Sequence, residues 1–125
     1  MHLQPAVLKK CVERFQAEPQ IVAVWGLGSA FQGPFRTDSD VDFALLNQRN
    51  TSLDLQRRGK LLADLENLLN RRVDLGTITT RNLIFAHEAI LAGHLLFSRD
   101  PNEVSSFVGR VLTLYTDLRQ DRKVV

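Results

Sequence analysis

Two apolar runs, Ile21-Val22-Ala23-Val24-Trp25 and Val41 to Leu46, are joined by a stretch that opens on Gly28-Ser29 and closes on Asp40-Val41-Asp42. No other feature narrows the fold as much. The first run is β-branched, aromatic and apolar throughout, which marks a strand buried on both faces. Such a strand needs other elements packed on each side of its sheet. The connection from Gly26 to Ser39 holds three glycines and a proline, so it reads as loop with at most one helical turn. Long connections inside compact domains are usually functional or disordered.

The rest of the chain fills in around these strands. Residues 3–17 read as an amphipathic helix through Leu8, Val12 and Phe15, stopped by Pro19. Thr51-x-x-Asp54 resembles a capping-box start for a helix whose stripe is Leu61, Leu62, Leu65, Leu68 and Leu69. A short third strand runs from Arg72 to Leu75 and ends at Gly76. Thr80 is placed to cap a helix carrying Leu83, Ala86, Ile90 and Leu91, with Gly93 at its C′ position. Leu95-Leu96-Phe97 reads as an edge strand. Asp100-Pro101-x-Glu103 starts a final helix, with Val104, Phe107, Val108, Val111, Leu114, Tyr115 and Leu118 at helical period and a frayed DRKVV tail. The order α-β-β-α-β-α-β-α implies an α/β (α+β) fold, a small mixed β-sheet with packed helices.

At 125 residues the chain is one domain, spanning 1–125, with surface enough for one core. Sixteen basic and fourteen acidic residues leave +2, too little to mark a nucleic-acid surface, and one Trp and one Tyr make no stacking platform, so direct nucleic-acid binding is not expected. One cysteine, Cys11, excludes an intrachain disulfide and a cysteine metal cluster. No apolar run is long enough for a membrane span and no secretory h-region opens the chain, so the expected compartment is the cytoplasm.

The chemistry concentrates in the connection. Asp40 and Asp42 lie two apart at the mouth of a strand and so share a face. Two carboxylates this close resist joint ionisation, and a divalent cation relieves that conflict. All-oxygen donors favour magnesium or manganese. At the other end Gly28 lets backbone amides approach a phosphate, and Ser29 adds a hydroxyl. A GS pair followed after ten residues by D-x-D is expected by chance on the order of once in a thousand chains of this length, which favours a site over a polar loop. Asp74, in Arg72-Val73-Asp74-Leu75, follows a helical crossover that would return it beside Asp40 and Asp42.

GSAFQGPFRTDSDVD with the later VDL resembles the signature of the nucleotidyltransferase superfamily, and most resembles its minimal nucleotidyltransferase (MNT) branch, related to the catalytic palm of DNA polymerase beta. Gly93 to Asp100 (GHLLFSRD) is similar to that branch's G-x-x-L-F-x-x-D stretch, so the likeness covers nearly the whole chain. The resemblance implies a polymerase beta palm-like fold and nucleotidyl transfer with two Mg2+ ions, or Mn2+, held by Asp40, Asp42 and Asp74. It implies that Asp74 helps deprotonate the attacking hydroxyl and that Gly28 and Ser29 hold the phosphates of ATP. The chain departs from the pattern at Gln32, where many relatives carry a basic residue before the glycine; Arg36 is a nearby basic side chain in a different register.

The branch commonly serves as antitoxin to a HEPN-domain ribonuclease, placing AMP on a toxin tyrosine. The resemblance therefore implies a cognate HEPN toxin as partner, in a hetero-oligomer. Two other readings stand beside it: a non-catalytic antitoxin that sequesters its toxin, and a transferase acting on a small molecule such as an aminoglycoside or on RNA. Elsewhere the residues read as structural. His87 and His94 lack a third ligand at zinc spacing. Cys11 and Trp25 read as core, Tyr115 as part of an apolar stripe, and the Arg57-Arg58-Gly59-Lys60 run as a solvated helix face.

Overall fold

The computed structural model describes residues 3–31 and 40–124, with side chains as far as Gln120. The elements are α1 (Pro5–Gln16), β1 (Ile21–Leu27), β2 (Val41–Asn47), α2 (Leu55–Leu69), β3 (Val73–Thr77), α3 (Leu83–Ala92), β4 (His94–Ser98) and α4 (Pro101–Val124). The sheet order is β3-β2-β1-β4. β1 runs antiparallel to β2 and to β4, and β2 runs parallel to β3. This is the mixed sheet and element order expected from the sequence. Among the described residues no helix is long and apolar enough to cross a membrane.

Both faces of the sheet are covered, as the apolar β1 run requires. On one face Val24, Val41, Phe43 and Leu45 pack with Cys11 and Phe15 of α1 and with Leu61, Leu65 and Leu69 of α2. On the other, Trp25, Ala44 and Leu46 pack with Ala86 and Ala89 of α3 and Val104, Phe107 and Val111 of α4. A register shift between Ile21 and Ala23 lets adjacent Val22 and Ala23 join the same face. Phe15, Phe31 and Phe43 are buried to within 2% of fully, and each contributes roughly 1.5–3 kcal/mol through area removed from water. Phe43 meets the other two rings edge-on, at 5.1 and 6.0 Å.

Several local expectations are revised. β1 continues to Leu27, because Gly26 stays in the strand with the Phe31 ring packed against it; a Cβ there would lie 2.6 Å from ring atoms. The N-cap of α2 is Asp54, whose carboxylate accepts from the Arg57 N–H at 2.7 Å, while the Thr51 hydroxyl donates to the Gln48 carbonyl. Asn82, not Thr80, precedes α3, and it makes no side-chain cap. Gly93 is extended, at φ −81° and ψ 160°, rather than left-handed. Its hydrogen is required by crowding, since a Cβ would lie 2.4 Å from the Ala89 carbonyl oxygen and 2.8 Å from Leu27. Asp100 does start α4, accepting from the N–H groups of Asn102 and Glu103. That helix stays helical to Val124 rather than fraying at DRKVV. Leu114 is 37% exposed, so it is not part of the buried stripe.

Arginines tie the layers together. Glu18, 6% exposed, accepts from Arg14 at 3.2 Å and from Arg57 at 2.8 Å, and Arg14 also reaches Asp64, which joins α1 to α2. Arg57 is therefore a structural tie and not part of a simply solvated face. Arg58 donates to the Leu75 carbonyl and the Thr77 hydroxyl, occupying acceptors of the edge strand β3. Arg99 donates to the carbonyls of Gln16, Glu18 and Ile21 and lies 5.2 Å from the Phe97 ring centre, holding the end of β4 to the α1–β1 turn.

Candidate active site

Asp42 sits in the middle of the sheet with β1 on one side and β3 on the other. Its pairing partners are Leu27, one residue before Gly28, and Asp74. The strand alternation puts Asp40, Asp42 and Ala44 on one face, and the parallel register puts Asp74 on that face too. One backbone bond between the strands and one side-chain bond from α2 hold this edge in place. The Val41 N–H donates to the Arg72 carbonyl at 2.9 Å, and the Val73 N–H donates to the Glu66 carboxylate of α2 at 3.0 Å.

The glycine–serine turn closes on the same point. Gly28 has φ +78°, a left-handed conformation that favours glycine, and a Cβ on it would stand 3.0 Å from Asp42 Oδ2. The turn Ser29-Ala30-Phe31 follows, closed by the Phe31 N–H donating to the Gly28 carbonyl at 3.1 Å. Buried Phe31 anchors it between Gly26 and Phe43, with the exposed His94 ring centre 6.3 Å away. The anchoring role of Phe31 was not legible beforehand; an aromatic two residues past the serine was its only signal. Gln32, Arg36, Asp38 and Ser39, with the rest of 32–39, lie outside the described residues.

The electrostatics follow from this packing. Asp42 is half-buried, while Asp40 and Asp74 are exposed. Burial pushes the Asp42 carboxyl above its ordinary range first, and the negative charge of Asp74, a hydrogen bond with Asp74 and the charge of Asp40 push it further. Protonated Asp42 would donate to Asp74. So Asp42 and Asp74 touch, and Asp40 acts on the pair through its charge. Among the described residues no three Asp, Glu, His or Cys side chains converge tightly enough to enclose a cation by themselves. The donor chemistry nonetheless fits a hard divalent ion. Two carboxylates in contact, one half-buried and pushed toward the neutral form by its neighbours, gain from a positive charge placed between them. Asp40, Asp42 and Asp74 are the residues that would hold it.

A cavity of about 540 Å3 lies elsewhere, at the opposite ends of β2 and β3, and none of Gly28, Ser29, Asp40, Asp42 and Asp74 lines it. His87 of α3 stacks on Tyr115 of α4, ring centres 3.6 Å apart and nearly parallel. Tyr115 is therefore partnered in the α3–α4 contact rather than simply part of the apolar stripe.

Among solved structures, the chain is similar to one from a mutant MntA–HpeT toxin–antitoxin pair, at 20% identity and TM-score 0.78, covering 94% of this chain and 93% of that one. It is similar to a toxin–antitoxin structure with AMP-PNP, at 22% identity and TM-score 0.74, covering 98% and 94%. It is also similar to a chain in the complex of tri-AMPylated HEPN toxin with MNT antitoxin from Shewanella oneidensis, at 20% identity and TM-score 0.75, covering 98% and 94%. At such identities these likenesses establish the shared fold. No curated protein matches the chain. The family model described as polymerase beta, nucleotidyltransferase, matches residues 9–102, a span that runs from α1 through all four strands into the start of α4. With three-quarters of its length matched, the chain belongs to the polymerase beta nucleotidyltransferase family.

Proposed function

We propose that this chain transfers AMP from ATP to a hydroxyl of a HEPN-domain toxin, a tyrosine being the expected acceptor, and thereby acts as its antitoxin. The observation that carries the reading is the convergence on Asp42: Asp74 pairs with it from β3, and Gly28 abuts its Oδ2 from the glycine–serine turn. Phosphate donors and carboxylates at one point suit a polyphosphate that carries divalent cation. The neighbouring complex of an AMPylated HEPN toxin with an MNT antitoxin supports the acceptor class, and the AMP-PNP complex supports the nucleotide.

Asp40, Asp42 and Asp74 hold Mg2+, for which Mn2+ could substitute. The bound ions supply charge neutralisation for the attacking and departing oxygens. Gly28, free of a Cβ, admits the phosphates against the backbone, and the Ser29 hydroxyl donates to them. The acceptor oxygen bonds to the α-phosphorus, the bond from that phosphorus to the bridging oxygen breaks, and pyrophosphate departs. Asp74, exposed beside Asp42, takes the acceptor's proton. Ile84, Leu91 and Leu95 are each more than half exposed on α3 and β4 and offer apolar contacts to a protein partner.

The test is incubation with α-labelled ATP, Mg2+ and the protein encoded by the neighbouring gene, expected to be a HEPN protein. Label on the partner, absent with Asp42→Asn, supports the proposal. A stable, non-toxic complex that takes up no label would overturn it in favour of sequestration, and label on RNA or an aminoglycoside instead would overturn the acceptor.

A further inference from the structure

A cavity of about 540 Å3 lies at the far end of the sheet. It lies beyond the carboxyl ends of the parallel pair, where β2 ends at Asn47 and β3 at Thr77, and the first turns of α4 close its side. Ligands in open α/β sheets favour this position. Asp42 and Asn47 are five residues apart along β2, about 16 Å, so the carboxylate site and this one are separate.

Its lining has a consistent chemistry. Arg49, Arg81 and Arg110 come from the loop after β2, the loop after β3 and α4, and Glu103 is the sole carboxylate among the lining residues. Of the other described arginines, Arg14, Arg57, Arg58 and Arg99 donate to protein acceptors, while the exposed Arg72 and Arg119 do not. The three cavity guanidiniums have no such partner among the described residues. Ser52 and Thr80 add hydroxyls to the same lining, and buried Phe107 and Ile78 add apolar surface. Planar forks of guanidinium match phosphate oxygens, hydroxyls suit phosphate or ribose, and apolar surface suits a base. The volume falls within the range of small-molecule pockets.

We propose that this arginine-ringed cavity binds a nucleoside phosphate, at a site distinct from the three aspartates. A concave cavity with three arginines among its lining residues favours a small ligand over an extended strand, which would need a basic stripe.

The test is calorimetric titration of ATP, ADP, AMP and inorganic pyrophosphate into the Asp42→Asn chain in EDTA, so that the result does not depend on the transfer reading. The expected result is one saturable site that binds ATP or ADP more tightly than AMP or pyrophosphate, weakened at least tenfold by Arg81→Gln with Arg110→Gln. Both arginines are exposed, and a thermal melt checks that this variant folds. The proposal is overturned if no nucleotide binds at millimolar concentration, if the arginine changes leave binding intact, or if pyrophosphate binds as tightly as ADP. A single-stranded RNA oligomer that binds more tightly than ATP through the same arginines would also overturn it and assign the cavity to polynucleotide.

Discussion

Replacing Gly28 with Ala tests the geometry of the carboxylate site most directly, because two separate costs fall on one methyl group. The first is conformational. At φ +78° an L-residue meets a steric penalty of roughly 1–2 kcal/mol. The second is contact. The new Cβ stands 3.0 Å from Asp42 Oδ2, so a carboxylate already hydrogen-bonded to Asp74 must give by a few tenths of an ångström. Against these, alanine stiffens the unfolded chain, returning about 0.4–1 kcal/mol. The conformational cost less this return leaves up to about 1.6 kcal/mol and the contact adds to it, so at roughly 4 °C per kcal/mol for a chain of this size Tm falls by about 4 °C or more. Gly59 supplies the control. It lies inside α2 with nothing within 4 Å of a Cβ, so Gly59→Ala should raise stability by about 0.5–1 kcal/mol. Circular-dichroism melts of the two variants should move in opposite directions. Labelled-AMP transfer should fall by about tenfold or more in Gly28→Ala, since small displacements of reacting groups are costly, and stay at the parent rate in Gly59→Ala. If Gly28→Ala melts at or above the parent temperature and transfers AMP normally, the turn does not abut Asp42 as described.

Arg99→Ala should cost about 1–2 kcal/mol in urea unfolding, because three backbone carbonyls lose a charged donor; Arg99→Lys should recover little, lacking the fork. Burial pushes the Cys11 thiol up to about 11 from 9.0. At pH 8 the folded chain then holds about a hundredfold less thiolate than the unfolded one, and a disulfide reagent should modify Cys11 only after denaturant is added. The same shift has a definite sign for stability: the contribution is full below pH 9 and is lost as pH rises toward 11, readable as a falling denaturation midpoint that Cys11→Ala abolishes. Asp42, raised from 3.8, works in the acid range. Folded-state stability gains as pH falls from neutrality toward that value, and Asp42→Asn should flatten this gain without lowering Tm at pH 7.

What the sequence disclosed and what it hid divide along physical lines. The β1 run was legible because burial on both faces leaves no polar interruption, and α4 because Asp100 and Pro101 carry their start signal locally. Helix starts at Thr51 and Thr80 were misplaced because several residues nearby have capping side chains. For α2 the choice falls to the register that turns Leu61, Leu65 and Leu69 inward, which makes Asp54 the cap. Gly93 looked like a left-handed terminator, but its reason is close packing against α3 at Ala89 and β1 at Leu27 and Trp25. The Asp42–Asp74 pairing could be expected from a crossover of the observed length, whereas the arginine-lined cavity could not. Arg49, Arg81 and Arg110 are widely spaced in sequence and meet only through the fold.

The parallel pairing of β2 with β3 decides the character of both ends of the sheet. A slip of one residue would set Asp42 against Val73 or Leu75 and send Asp74 to the opposite face, among the leucines of α2. The bonds that prevent the slip stand at each end of the pair: Val41 N–H to the Arg72 carbonyl beside the carboxylates, and Ile78 N–H to the Leu45 carbonyl beside the cavity. Between them Glu66 and Arg58 of α2 hold the Val73 N–H and the Leu75 carbonyl. The crossover helix thus does more than cover one face. Its polar side chains grip the edge strand that carries Asp74, so the position of that carboxylate depends on residues outside the aspartate cluster. Alanine at Glu66 or Arg58 should therefore reduce transfer through Asp74 while the core of α2, built on Leu61, Leu65 and Leu69, keeps the chain folded.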